Sequence, residues 1–257
     1  MEHLSRHLQT IKQDAEEWRS RYPLVDRFRP SFTAADGDEI ATIVTRPISY
    51  YYTTKVFVKR QSHTDELGLD GYGNPAVNPY IADRLRNEAA VLQFVAKHTT
   101  IPVPKFLDLW EENGLVHLKT ALVENGIELR NVDESLLSTA IMSVTAQLES
   151  DILPQLRRLR RNFMGSPDPE LPMLPPRRFW DWKGTRNILV DPNTFKIVSI
   201  LDWETAGFFP QEWELPLWTV NGPEEKYRMT REAHRQEIFA FDSPEKYLKE
   251  SPASIQV

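Results

Sequence analysis

Apolar residues in the first half of the chain follow helical spacing in some stretches and strand-like spacing in others. Near the N-terminus they recur at helical spacing, at Leu4, Leu8, Ile11 and Trp18. This spacing predicts an amphipathic helix over residues 2–21. Residues 39–60 are instead rich in Ile, Val, Thr, Tyr and Phe, and apolar and polar residues alternate over 54–59. This composition predicts two or three antiparallel strands.

The next hundred residues continue with a loop, a helix and a strand pair. Residues 61–78 are rich in glycine and other turn-forming residues and predict a long loop. Residues 80–98 carry apolar side chains at spacings of three and four, which predicts a helix with one buried face. Residues 106–110 and 115–123 flank the turn-forming stretch 111–114 and predict a second pair of strands.

The second half of the sequence has a different character. Residues 134–148 and 153–161 have the composition of helices, whereas 167–176 hold five prolines and exclude regular structure. Residues 187–190 and 196–201 are mostly apolar, flank a short turn and predict a hairpin. The order of elements favours an α+β fold with a lobe boundary near Glu124.

We therefore divide the chain into three parts. Residues 1–38 form an N-terminal helix and lead-in, 39–124 a first lobe with the sheet, and 125–257 a mainly helical second lobe.

Composition narrows the classes of function. The 257 residues include 31 basic and 37 acidic side chains, and the net charge of −6 argues against nucleic acid or an anionic membrane as a partner. The absence of cysteine excludes disulfides, thiolate nucleophiles and cysteine-ligated metals. With no signal-like or membrane-spanning apolar run, we expect a cytoplasmic protein. The sequence gives no indication of its oligomeric state.

Four polar residues match the requirements of phosphoryl transfer from a nucleotide. That reaction uses a lysine on the phosphates, a carboxylate that holds the lysine, and an Asn and an Asp on the metal. The chain offers Lys59 at the end of an apolar strand and Glu88 on the following helix. Asn187 opens the later hairpin and Asp202 closes it.

Each of these residues also has a purely structural interpretation. Lys59 could lie at the solvated end of a strand, and Glu88 could pair with Arg84 one turn earlier on its helix. Asn187 could cap a turn, and Asp202 could cap a strand end. An acidic group that includes Glu204, together with Glu212, Glu214, Glu224 and Glu225, could attract a cationic substrate, but we favour a role in solubility.

Six short segments form a recognisable set. They are Val56-Phe-Val-Lys-Arg60, Arg86-Asn-Glu-Ala-Ala90, Lys97-His-Thr-Thr-Ile-Pro-Val-Pro-Lys105, Glu111-Glu-Asn-Gly114, Asn187-Ile-Leu-Val-Asp-Pro192 and Ile200-Leu-Asp-Trp-Glu-Thr-Ala-Gly-Phe-Phe-Pro210. The set closely resembles the aminoglycoside-phosphotransferase-like family, especially its large fungal branch, and spans about residues 53–218.

The resemblance implies a bilobal protein-kinase-like fold with an antiparallel-sheet first lobe and a mainly helical second lobe. It also implies that the protein binds ATP and Mg²⁺ and transfers the γ-phosphate to a hydroxyl group of a small molecule. By position, Lys59 is then the phosphate-binding lysine and Glu88 its partner. Asn187 and Asp202 are then the metal ligands. The hinge that contacts the nucleotide is Leu122, Val123 and Glu124, continuing to Asn125.

The chain departs from the family pattern at the catalytic loop. The family has a His-x-Asp whose Asp, five residues before the Asn, orients the attacking hydroxyl and accepts its proton. Here the positions of the His and the Asp are occupied by Trp180 and Trp182, and Asp181 lies one residue out of register. The segment around 175–186 is also shorter than in the family. Either the loop was lost naturally, or the sequence is joined across a missing segment.

Three hypotheses follow. The first is an ATP-dependent phosphotransferase that uses Asp181 or a rearranged group as its base. The second is a catalytically inactive kinase-fold protein that keeps the cleft, or only the scaffold, for binding. The third is a shortened chain that folds poorly.

Overall fold

The N-terminal helix and the first sheet pack together. The computed structural model describes residues 6–21, 26–45, 47–69, 72–74, 76, 80–174, 187–209, 215–216, 224–225 and 227–231. Helix α1 (Arg6–Arg21) confirms the predicted N-terminal helix over its described length. Its apolar face, formed by Leu8, Ile11 and Ala15, is buried against Ala41 of the first strand.

The first sheet has five antiparallel strands. They are β1 (Glu39–Val44), β2 (Ile48–Thr53), β3 (Val56–Gln61), β4 (Phe106–Glu112) and β5 (Leu115–Ala121). Their order in the sheet is β1-β2-β3-β5-β4. Both predicted groups of strands are therefore confirmed, and β3 lies at the centre with a neighbour on each side.

Helix α3 (Ile81–His98) confirms the second predicted helix and packs on one face of this sheet. Its buried residues Leu85 and Ala89 contact Leu118 of β5 in one apolar cluster. Along β3, Lys59 points to this face, while Val58 and Arg60 point to the other.

The second half of the chain forms a helical layer over a small sheet. Its helices are α4 (Glu134–Gln147) and α5 (Leu153–Arg158), joined by a π-helical turn at Leu148–Ile152. The sheet contains β6 (Ile127–Glu128), β7 (Ile188–Val190) and β8 (Ile197–Ile200), in that order. The predicted hairpin is β7 and β8. The described elements thus form the predicted α+β fold, a sheet lobe followed by a mainly helical part.

Two local features differ from the sequence-based prediction, and one agrees with it. The predicted loop over 61–78 contains a short helix, α2 (Thr64–Leu67), and β3 extends into it as far as Gln61. Strand β6 was not predicted, because two residues are too few to show a period. Of the proline-rich stretch 167–176, residues 167–174 are described and contain neither helix nor strand, as predicted.

No helix in the described part of the chain is both long enough and apolar enough to cross a membrane.

A buried ionic cluster holds the lead-in segment and α2 on the outer face of the sheet. The guanidinium of Arg60 is fully buried and donates to both carboxylate oxygens of Glu66 at 2.7 and 3.1 Å. It also donates to Asp26 at 3.0 Å and to the Tyr51 hydroxyl at 2.9 Å. The side chains of Arg60 and Glu66 are almost completely buried, so we assign this cluster a structural role.

We expect Arg60→Leu to lower the free energy of unfolding by about 3–5 kcal/mol, because it leaves the buried carboxylate of Glu66 without its cation. The matched control is Arg86→Leu on α3, whose pair with Glu111 is half-exposed and should contribute about 0–1 kcal/mol. Urea unfolding measures both. Equal losses in the two variants would contradict the structural role of the cluster.

The same cluster predicts a dependence on pH. Burial alone would raise the pKa of Glu66, but Arg60 and the backbone N–H groups of His63 and Arg27 outweigh it and lower the pKa below its ordinary 4.5. The stability contributed by this carboxylate is therefore fully present above pH 4.5 and is lost as the pH falls through the lowered pKa. The difference in unfolding free energy between wild type and Glu66→Gln should shrink in that range. A difference independent of pH would contradict this.

Candidate active site

Lys59 lies at the centre of the first sheet with its ammonium group buried. Its backbone is paired with Tyr50 of β2 and Leu118 of β5. Its Nζ donates to Glu88 Oε2 and to Asp202 Oδ1, each at 2.7 Å. Only 6 % of Lys59 is exposed, which rules out the interpretation of a solvated strand end.

Glu88 reaches Lys59 because α3 turns the same face to the sheet along its whole length. The apolar residues Leu85 and Leu92 lie one turn on either side of Glu88 and are buried. Glu88 therefore lies inside the interface and is only 4 % exposed.

Asp202 lies two residues after the end of β8 and is the exposed member of the group. Its side chain is 40 % exposed, in contrast to those of Lys59 and Glu88. Its backbone has a φ of +63°, in the left-handed region that residues other than glycine seldom adopt. Such conformations cluster at functional sites, where the surrounding structure enforces them.

Asn187 and Asp202 come together across the hairpin of β7 and β8. The backbone N–H of Leu201 donates to the carbonyl of Asn187 at 2.8 Å. The Asn187 Nδ2 atom lies 3.5 Å from Asp202 Oδ2. The structure thus brings together all four residues that the sequence predicts for the nucleotide phosphates and the metal.

The neighbouring carboxylates keep Lys59 charged despite its burial. Burial alone would lower the pKa of Lys59, but the carboxylates of Asp202 and Glu88 outweigh it and the pKa is raised. Lys59 is therefore an ammonium ion at neutral pH. For Glu88, burial is the largest effect and raises its pKa, although Lys59 opposes it.

The donor set fits magnesium. Mg²⁺ prefers oxygen ligands and keeps several waters, so it is bound by one or two protein carboxylates together with phosphates. Asp202 offers an exposed carboxylate, and the neighbouring amide of Asn187 offers an oxygen once its O and N are assigned for a cation. Glu204 also has a carboxylate oxygen within 4.8 Å of those of Glu88 and Asp202, but its side chain forms an ion pair with Arg84.

The remaining predicted site residues are placed as follows. The backbone N–H of Leu122 donates to the Lys55 carbonyl at 2.8 Å, and its side chain packs beside α1. Val123 is half-buried and Glu124 is exposed. Asp181, the candidate base, lies outside the described residues. The nucleotide contacts of 122–124 and the role of Asp181 therefore stay predictions.

Three further residues at this site have contacts that the sequence-based prediction does not include. Arg84 does not pair with Glu88, as one structural interpretation has it, but forms an ion pair with Glu204. Glu204 is buried, so the interpretation of this residue as a solubilising surface charge is wrong. Asn87 donates to the backbone of the same segment. One signal was available, since Arg84, Asn87 and Glu88 have the spacing of a single helix face.

Several solved structures are similar to this chain. A crystal structure of an aminoglycoside-3'-phosphotransferase of type VIII is 18% identical with a TM-score of 0.37, covering 93% of this chain and 96% of that one. The apo form of a thermostable mutant of aminoglycoside phosphotransferase APH(4)-Ia is 14% identical with a TM-score of 0.42, covering 78% and 76%. A ternary complex of such a mutant with ADP and hygromycin B is 13% identical with a TM-score of 0.39, covering 93% and 84%.

No protein-family model and no curated protein matches the sequence. At the identities and TM-scores of the solved structures, the likeness assigns no substrate and no site residue to this chain.

The buried pair predicts that Lys59→Met makes stability strongly dependent on pH. Burial already raises the pKa of Glu88, and loss of the ammonium group should raise it further. A carboxyl group with a raised pKa contributes stability below its ordinary pKa, and this contribution is lost as the pH rises through the raised value. Urea unfolding of Lys59→Met should therefore show stability that falls as the pH rises above 4.5, the ordinary pKa of a glutamate.

The control is the double variant Lys59→Met with Glu88→Gln, in which the buried Glu88 carboxyl group is replaced by an amide that does not ionise. Its stability should change much less over the same range. The same pH dependence in the single and double variants would show that Glu88 is not the group responsible.

Proposed function

We propose that this protein is an ATP-dependent phosphotransferase that acts on a hydroxyl group of a small molecule. The observation that carries the proposal is the buried ammonium group of Lys59, held between Glu88 of α3 and Asp202 at the end of β8. In protein kinases a strand lysine pairs with a helix glutamate, and a metal-binding aspartate must be in place beside them.

Each residue has a role in this proposal. Lys59 would contact the nucleotide phosphates, and Glu88 would keep its ammonium group charged and oriented. Asp202 and Asn187 would hold magnesium, which supplies charge neutralisation at the β- and γ-phosphate oxygens when bound. Leu122, with the adjacent hinge residues Val123 and Glu124, would contact the base of the nucleotide.

The acceptor hydroxyl needs a carboxylate that orients it and accepts its proton. Within the proposal this group is Asp181, which precedes Asn187 by six residues. A lysine on the phosphates and a metal on Asp202 stabilise transferred charge but do not place the acceptor, so slow transfer is expected if Asp181 is misplaced.

A second candidate is a nucleotide-binding protein without transfer activity. It is favoured by Trp180 and Trp182 at the positions where the resemblance places His and Asp. Both candidates bind the nucleotide at the Lys59 group. They differ only in whether the γ-phosphoryl group is transferred to an acceptor.

We expect ATP with Mg²⁺ to raise the midpoint of thermal unfolding of the full chain. A ligand at about 100 times its dissociation constant adds about 2.7 kcal/mol to the stability of the folded state. The shift should be smaller without magnesium and should be absent in both Lys59→Ala and Asp202→Ala. The matched control is Arg86→Ala, which lies on α3 outside the Lys59 group and should keep the full shift. A cooperative transition that nucleotide leaves unchanged would contradict the proposal.

The two candidates separate in a transfer assay. With γ-labelled ATP and a panel of polyhydroxylated small molecules, the enzyme should form a labelled product, and Asp181→Asn should slow it about 10²–10⁴-fold while nucleotide binding is retained. Nucleotide binding with no product from any acceptor would favour the second candidate.

A further inference from the structure

Side chains on one face of α3 bind the segment that follows β8. Asn87 Nδ2 donates to the carbonyl of Glu204 at 3.0 Å and to the carbonyl of Ala206 at 2.9 Å. Arg84, one turn earlier on the helix, forms an ion pair with the side chain of Glu204. Glu88, the next residue along this face, binds Lys59. A single helix face thus holds both the lysine and the segment that carries Asp202.

These contacts are shielded from water. Arg84 is 4 % exposed, Asn87 2 % and Glu204 7 %. Removing one partner of a buried hydrogen bond or ion pair is costly. The partner that remains is still shielded from water and has lost its contact. The contacts of Arg84 and Asn87 therefore restrain this segment more firmly than surface contacts of the same type would.

The restrained segment contains the strained residue. Asp202 has left-handed backbone geometry, which persists only where surrounding contacts enforce it. On its N-terminal side, Leu201 is fixed by a backbone bond to Asn187 at 2.8 Å. On its C-terminal side, Glu204 is held by Asn87 and Arg84 of α3. The two sides together determine where the Asp202 carboxylate points.

We propose that Arg84 and Asn87 are positioning residues, which hold Asp202 in the geometry that meets Lys59 and a metal ion. Neither residue touches the nucleotide in this proposal, and both act through Glu204. The inference rests on the proposed function, because it takes Asp202 as the metal ligand. It adds that the position of α3 and the metal affinity of the site are coupled.

The test separates metal-dependent from metal-independent nucleotide binding. Titration calorimetry of the full chain with ATP is done once with Mg²⁺ and once with excess chelator. We expect Asn87→Ala to lower the affinity with Mg²⁺ at least tenfold and to change the affinity without metal less than threefold. A merely structural role would lower both affinities together, and that result would overturn the proposal.

A second variant guards against simple loss of stability. Replacing the ion pair by apolar residues, Arg84→Met with Glu204→Leu, is often neutral or stabilising for a buried pair. This double variant should keep its unfolding midpoint and still lose the magnesium-dependent affinity. Arg86→Met is the control, since it lies on the same helix with a half-exposed pair. Unchanged magnesium dependence in a folded double variant would overturn the proposal.

A third measurement needs no nucleotide, so failure of the proposed function is distinguishable from failure of this inference. In a double-mutant cycle, the unfolding equilibrium constants of Asn87→Ala and Asp202→Asn are measured singly and together. If Asn87 positions Asp202, their effects differ from additivity by more than about threefold, whereas independent sites agree within about twofold. Additive effects would overturn the inference. A coupled cycle in a chain that binds no nucleotide would support it and count against the proposed function alone.

Discussion

The arrangement of this protein depends on the burial of one ammonium group. Removing a charge from water is costly unless opposite charges and hydrogen bonds replace the water. Lys59 meets this requirement with Glu88 from α3 and Asp202 from the end of β8, each at 2.7 Å. Because these partners come from the two halves of the chain, the sheet, the helix and the second hairpin must all meet at this point.

Strand β3 supports two buried cations with different consequences. Lys59 and Arg60 are adjacent, so their side chains point to opposite faces of the sheet. On the outer face Arg60 is enclosed by Glu66 and other acceptors, and its side chain has no exposed surface. On the inner face Asp202 leaves the Lys59 group partly open to solvent. The fully buried Arg60 cluster can only stabilise the fold, whereas the partly exposed Lys59 group can also bind a ligand.

Residue type and order were enough to make Lys59 and Glu88 candidates, since a buried strand and a helix with one apolar face each show a clear period. They were not enough to find Arg84 or Asn87. These side chains contact a segment that follows them by more than 110 residues, and no local pattern records such a contact. The short helix α2 was missed for a related reason, because four residues lie below the length at which a period is visible.

The order of the main helices and strands, an apolar strand that carries Lys59, and the residue types that a phosphate and metal site requires all follow from the sequence alone. These features are local, and each follows from the spacing of apolar and polar side chains. Only the tertiary structure decided that Glu88 pairs with Lys59 and not with Arg84, and that Glu204 is a buried partner of Arg84. The partner of each charge depends on which charged side chains are buried together. That is determined by the packing of segments that are distant in the sequence.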